Sequence, residues 1–134
     1  MANIVLTLTV LPEKLAVCRL DAGEEIPAWA LKSRYSSITR TRDELSIICE
    51  EQFVPQGVKC ERDWRALRLE GPFDFNLVGV LASVLDPLAF AAISILAVGT
   101  YDTDYVLVRE GHLERAVAVL LTAGHAVHRE QAHL

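Results

Sequence analysis

The chain has 134 residues, about half of them apolar (51%), with 23% charged and a formal charge of −5. A chain of this length and composition buries a stable core without metal or disulfide staples, which excludes pervasive disorder. Its basic residues are scattered and not gathered in a stripe, so no nucleic-acid partner is expected.

The opening run alternates Ile4, Leu6, Leu8 and Val10 with Thr7 and Thr9, the period-two pattern of a half-buried strand. Leu11-Pro12-Glu13 is expected to break it. A second strand is then expected from Leu15 to Leu20, with a turn at Asp21-Ala22-Gly23. Pro27 to Lys32 reads as a short helix with proline at its start, where the missing N–H is harmless. The β-rich runs Ser37 to Thr41 and Leu45 to Cys49 form a hairpin around Arg42-Asp43-Glu44. The stretch from Gln52 to Asp63, with Pro55 and Gly57, is the expected irregular crossing. It places a boundary near residue 61, between an N-terminal module 1–61 and a C-terminal module 62–134.

Trp64 to Leu69 is predicted to be a strand that stops at Gly71-Pro72. Asn76 is predicted to cap a helix running through Leu85, since its side chain can accept unpaired first-turn N–H groups. The apolar stretch Leu77 to Val98 is long enough to raise a membrane span, but Asp86-Pro87 puts a charge and a helix breaker near its middle. It reads instead as a helix, a turn and a strand in a soluble core. Ile93 to Val98, apolar on both faces, is expected in the middle of a covered sheet. After the turn at Thr100 to Asp104 comes a partner strand, Tyr105 to Val108. The helix His112 to Ala123 follows, with Leu113, Ala116, Val117, Leu120 and Leu121 on one stripe and Gly124 as its C-cap. Ala126 to His128 is a last short strand.

The second half therefore reads β-α-β-β-α-β, the ferredoxin-like order. Laying Pro27 on Pro87 also lays Glu44 on Asp104 and Glu50 on Glu110, which suggests two copies of one unit with the first abbreviated. The predicted fold class is α+β, with tandem ferredoxin-like modules of antiparallel sheet packed by helices.

Several chemistries lack their motifs. There is no Gly-x-Ser-x-Gly elbow, no P-loop, no Gly-x-Gly-x-x-Gly and no acid–histidine arrangement at a strand end, so no catalytic residue, enzyme activity or cofactor is expected. Cys18, Cys49 and Cys60 show no zinc or CxxC spacing and read as buried or idle thiols of a reducing compartment. His112, His125, His128 and His133 fall in the last quarter. A helix end followed by a strand would turn His125 and His128 to opposite faces, so these read as solvated side chains and not metal ligands. No basic leader with an apolar run and cleavage site is seen, and a cytoplasmic location is expected.

One constellation does suggest binding. Asp104 begins a strand beside Thr100 and Tyr101, so a carboxylate, a hydroxyl and an aromatic face converge in a way that suits an ammonium or guanidinium group. Asp102 reads as a turn former. Gly79, a glycine within the predicted apolar helix, fits either a tight helix–strand contact or the close approach of a ligand. A ligand carboxylate would meet the helix N-terminus between Asn76 and Gly79.

The run Val80 to Ile95, followed by Gly99-Thr100-Tyr101-Asp102-Thr103-Asp104-Tyr105-Val106-Leu107-Val108, resembles the ACT domains of bacterial proteins related to the CASTOR cytosolic arginine sensors and, more distantly, the regulatory tail of aspartate kinases. The resemblance covers residues from about 63 to 130, and the first half resembles the accompanying N-terminal ACT-like module more loosely. It implies a regulatory, non-catalytic protein that holds an amino acid between paired modules. By resemblance, Gly79, Thr100, Tyr101 and Asp104 match ligand-contacting positions, and Ser94 and Ile95 match the pair contributed by a partner module, which implies a homodimer. Leu77 departs from the pattern, since the arginine-binding module carries a polar or acidic residue there. The alternative is an assembly protein that uses ACT modules only for oligomerisation.

Overall fold

The computed structural model describes residues 4–132, so His133 lies outside the described residues. Seven strands and two helices follow in the order β1 (Thr7–Leu20), β2 (Ser36–Arg40), β3 (Leu45–Glu50), β4 (Cys60–Leu69), α1 (Val80–Phe90), β5 (Ile95–Gly99), β6 (Asp104–Arg109), α2 (Leu113–Thr122) and β7 (Ala126–Arg129). The chain divides into two compact units, Met1–Pro12 with Arg65–Leu134, and Glu13–Trp64. The expected boundary lay near residue 61. Among the described residues no helix is long and apolar enough to cross a membrane.

The first unit orders its strands β7-β1-β4-β6-β5. β7 runs parallel to β1 (Thr7↔Ala126 to Val10↔Arg129), and β5 runs antiparallel to β6 (Ile95↔Val108 to Gly99↔Asp104). From β4 onward the element order is β-α-β-β-α-β, as the sequence predicts. The sheet nevertheless holds a further strand, because β1 stands between β7 and β4. Alternate strand residues Leu6, Leu8, Val10, Leu67, Leu69, Val106 and Val108 meet Val80, Val84 and Leu88 of α1 and Leu113, Ala116 and Leu120 of α2 in one core. Period two on the strands and three-to-four on the helices put these side chains on one face of each element. Leu121, expected on the same stripe, is instead exposed.

The second unit pairs β1 with β3 (Leu15↔Glu50 to Leu20↔Leu45) and β3 with β2 (Ser36↔Cys49 to Arg40↔Leu45), all antiparallel. The β2–β3 turn is held by the Thr41 side-chain oxygen, which accepts from the N–H groups of Asp43 and Glu44 at 3.1 and 3.2 Å. A single 3₁₀ turn, Ala28–Leu31, follows Pro27. Its core comprises Ala16, Cys18, Ala30, Leu45, Ile47, Cys49 and Val54. The buried Glu50 carboxylate is satisfied by Ser33 Oγ, the Arg34 N–H and Gln52 Nε2 at 3.0, 2.8 and 3.0 Å.

Several sequence expectations are overturned. β1 does not break at Pro12. The proline falls between the stretch paired with β7 (Thr7 to Val10) and that paired with β3 (Leu15 to Leu20), so no rung of either ladder needs its missing N–H. Asn76 does not cap α1. Its N–H donates to Asp74 Oδ1 at 2.7 Å, and the N-cap position belongs to Gly79 at φ +89°. Nor does α1 stop at Asp86-Pro87. Pro87 sits inside the helix, where it cannot bond the carbonyl four residues back, that of Ser83.

His125 fills that gap. Its Nε2 lies 2.9 Å from Ser83 O, while the Leu6 N–H donates to Nδ1 at 3.0 Å. Because Nδ1 accepts, the ring proton sits on Nε2 and is donated to the freed carbonyl. His125 is thus 4% exposed and structural, not a solvated side chain. His112 and His128 are exposed. β5, finally, ends the strand order and is partly exposed, not central, since it has one strand neighbour in place of two.

Candidate functional site

The candidate site lies within the first unit, in an open cavity of about 420 Å³ between the N-terminus of α1 and the β5–β6 turn. Gly79, Thr100, Tyr101 and Asp104 line it; Asn76, Ser94 and Ile95 do not. Ser94 is exposed just before β5, and Ile95 is half-buried at its start. Phe73, Asp74 and Phe75 also line the cavity and were not singled out as contacts, because the irregular segment before α1 carries no periodicity that marks an inward face; Asp102, read as a turn former, lines it too.

Each wall has a local cause. At Gly79 the left-handed φ of +89° is one that side chains rarely adopt, and an added Cβ would stand 3.3 Å from Ile4 Cδ1. The glycine turns the chain into α1, whose first turn closes through Ser83 N–H to Gly79 O at 3.0 Å and carries no side-chain cap. Val80, Leu81 and Ala82, also in the lining, therefore bring first-turn N–H groups and the positive end of the helix dipole to the cavity.

Opposite, the β5–β6 turn is locked by threonines. The Thr100 N–H donates to Thr103 O at 2.8 Å, the Thr100 hydroxyl donates to the same oxygen at 3.0 Å, and the Thr103 N–H donates to Thr100 Oγ1 at 3.2 Å. Thr103 Oγ1 donates to Leu69 O at 2.6 Å, tying the turn to β4. Asp104 opens β6 across from Gly99, where a Cβ would meet its Oδ1 at 3.3 Å. The Phe73 N–H donates to Asp102 O at 2.9 Å and holds the segment before α1 against the turn. Above this contact Phe75 meets Tyr101 edge-on, with ring centroids 5.1 Å apart at 89°.

No lysine or arginine lines the cavity, whereas Asp74, Asp102 and Asp104 all do. Three carboxylates with aromatic faces favour a cation, and the helix N-terminus favours an anion. The arrangement suits a small ligand carrying both charges. Among the described residues no group of three or more His, Cys, Asp or Glu is placed to hold a metal ion.

Comparison with known proteins accords with this architecture. The ACT domain profile matches residues 59–122, and a profile of an N-terminal domain matches residues 13–57. The crystal structure of protein Atu0741 from Agobacterium tumefaciens is 40% identical, covers 98% of both chains and superposes with a TM-score of 0.92. A Vibrio cholerae protein of unknown function, VC0802, described as a possible transport protein, is 17% identical over 88% of this chain and 89% of its own, with a TM-score of 0.72. The ligand-free regulatory subunit of aspartate kinase from Thermus thermophilus is 14% identical over 92% of this chain and 99% of its own, with a TM-score of 0.59. The last two show a shared fold. A comparison with curated proteins gives no match. The chain belongs to the ACT-domain family.

Proposed function

We propose that this chain is a cytoplasmic regulatory protein that binds an amino acid and catalyses no reaction. The observation that carries the reading is the pairing, across one cavity, of the uncapped α1 N-terminus at Gly79 with Thr100, Tyr101 and Asp104. The helix end would take the ligand carboxylate, and Asp104 with the Tyr101 face its ammonium group. The name of the Thermus thermophilus subunit, a regulatory one, supports a regulatory role. The two profile matches, 13–57 and 59–122, support a reading as tandem modules 1–61 and 62–134. On this reading Ser94 and Ile95 come from a second copy, which makes the working form a homodimer. β5, an apolar strand at the end of the sheet order, offers an edge for that pairing.

The assembly reading is favoured by one observation, the exposure of the cavity-lining Phe75 (73%), Leu77 (53%) and Tyr101 (82%). Thermal-shift screening against the proteinogenic amino acids separates the two. A ligand at a hundred times its Kd adds about 2.7 kcal/mol to the folded state. We expect one or two amino acids to raise Tm in the wild type and not in Asp104→Ala. A flat screen, with dimerisation intact, would leave the assembly reading.

A further inference from the structure

The three cysteines lie far apart in sequence and meet in the second unit. Cys18 is on β1, Cys49 on β3 and Cys60 at the start of β4, with β1 between the other two. Cys49 pairs with Ala16, so Cys18, two residues along β1, faces the same side of the sheet. On the other flank the Arg19 N–H donates to Lys59 O at 2.9 Å, and Lys14 reaches Asp63 at 3.4 Å. β4 therefore runs antiparallel to β1 here, with Cys60 beside Cys18. The Cys18 thiol lies within hydrogen-bonding reach of both other sulfurs, and none of the three is in a disulfide. Cys18 and Cys49 are fully buried, whereas Cys60 is partly exposed.

We propose that this cluster is a peroxide-responsive modification site, in which Cys60 and Cys18 close a reversible disulfide between β4 and β1. Residues facing each other across antiparallel strands stand roughly 4.5–5.5 Å apart at Cα, within the span of about 4.4–6.8 Å that a disulfide bridges. Cys60 is the sulfur that an oxidant can reach. Its thiolate attacks one peroxide oxygen, the O–O bond breaks, and hydroxide leaves as water with the thiol's proton, so that Cys60 becomes a sulfenic acid. The Cys18 sulfur then attacks the sulfenic sulfur, the S–O bond breaks, and a second water leaves with the Cys18 proton. Peroxide is reduced to two waters as two thiols become one disulfide, and a dithiol reductant reverses the bond. Within the cluster, the hydrogen bond from Cys18 to Cys49, followed by burial, pushes the Cys18 thiol up, and the same bond pulls Cys49 down against burial. The first oxidation falls to Cys60 because it is the sulfur nearest solvent, whereas Cys18 and Cys49 are fully buried.

The test treats the native full-length chain with hydrogen peroxide, alkylates it under denaturing conditions and maps the peptides by mass spectrometry. The expected product has lost the mass of two hydrogen atoms, carries a Cys18–Cys60 cross-link, keeps Cys49 alkylatable, and regains all three thiols in dithiothreitol. Cys60→Ser, with its fold checked by circular dichroism, is expected to keep both remaining thiols. Three alkylatable cysteines in the treated wild type would overturn the proposal. So would oxygen added to Cys60 with Cys18 still alkylatable, or a Cys18–Cys49 cross-link in Cys60→Ser.

Discussion

His125 does two jobs with one ring. It accepts from the N–H of Leu6 in a buried bond and donates to the carbonyl of Ser83 in a part-buried one. A buried polar group that loses its partner costs about 1–3 kcal/mol. With two groups orphaned, His125→Ala is expected to lose roughly 2–5 kcal/mol in urea denaturation, and a loss under 1 kcal/mol would show that both groups find other partners. At Glu70 the carboxyl is held below the usual carboxylate range. Thr9, whose hydroxyl donates at 2.5 Å, is the chief cause; burial opposes it, and Arg68 at 3.0 Å adds to it. Because the folded-state value is lowered, the stability this group contributes is present above the ordinary carboxylate range and is lost as pH falls through the lowered value. Thr9→Val is expected to move the Glu70 titration midpoint, followed by NMR, upward. A midpoint that stays in place would assign the shift to Arg68.

At the scale of elements, α1 shows how a helix tolerates a proline. Pro87 removes the N–H that Ser83 O would have accepted, and a histidine ring from the loop before β7 supplies the substitute. Pro87→Ala restores a helical N–H to the same carbonyl. The double variant Pro87→Ala/His125→Ala is therefore expected to be more stable than the sum of the single changes by about 1 kcal/mol, a coupling that a double-mutant cycle reads directly. Strict additivity would mean that the proline and the histidine are independent. After α1 the chain leaves through Ala92 at φ +59°, with the N–H groups of Ala92 and Ile93 returning to Ala89 O and Leu88 O at 2.9 and 3.0 Å. A left-handed alanine is strained by about 1–2 kcal/mol. Ala92→Gly is expected to raise stability by roughly 0.5–1 kcal/mol after glycine's own entropy cost, and a lower Tm would refute this.

For the molecule as a whole, β1 and β4 each contribute residues to both compact units. The two units carry separate spectroscopic reporters. Both α-helices belong to the first unit, and both tryptophans, Trp29 and Trp64, belong to the second. Since neither unit keeps its sheet without the shared strands, far-UV circular dichroism and tryptophan fluorescence are expected to report coincident urea transitions. Two separated midpoints would mean that the strands fray between the units.

The sequence by itself determined everything that rests on local periodicity. The alternation of Leu6, Leu8 and Val10, the stripe of Leu113, Ala116 and Leu120, the turn at Arg42-Asp43-Glu44 and the β-α-β-β-α-β order from β4 onward are all properties of neighbouring residues. The cavity-lining Gly79, Thr100, Tyr101 and Asp104 were legible for a related reason, since a lone glycine in an apolar helical run and polar residues in a turn stand out locally, although that Gly79 starts α1 and does not lie inside it was decided by the fold. Tertiary structure alone decided what depends on partners remote in the chain. Pro12 sits inside β1 because the strand changes partner there, and α1 passes Pro87 because His125 satisfies Ser83. β5 lies at an edge because no further strand pairs with it, and three scattered cysteines meet because β1 runs between β3 and β4. Periodicity specifies which face of an element is buried, but the partner of a backbone group or a thiol is set by which strands fold beside it, and that pairing joins residues that no local pattern connects.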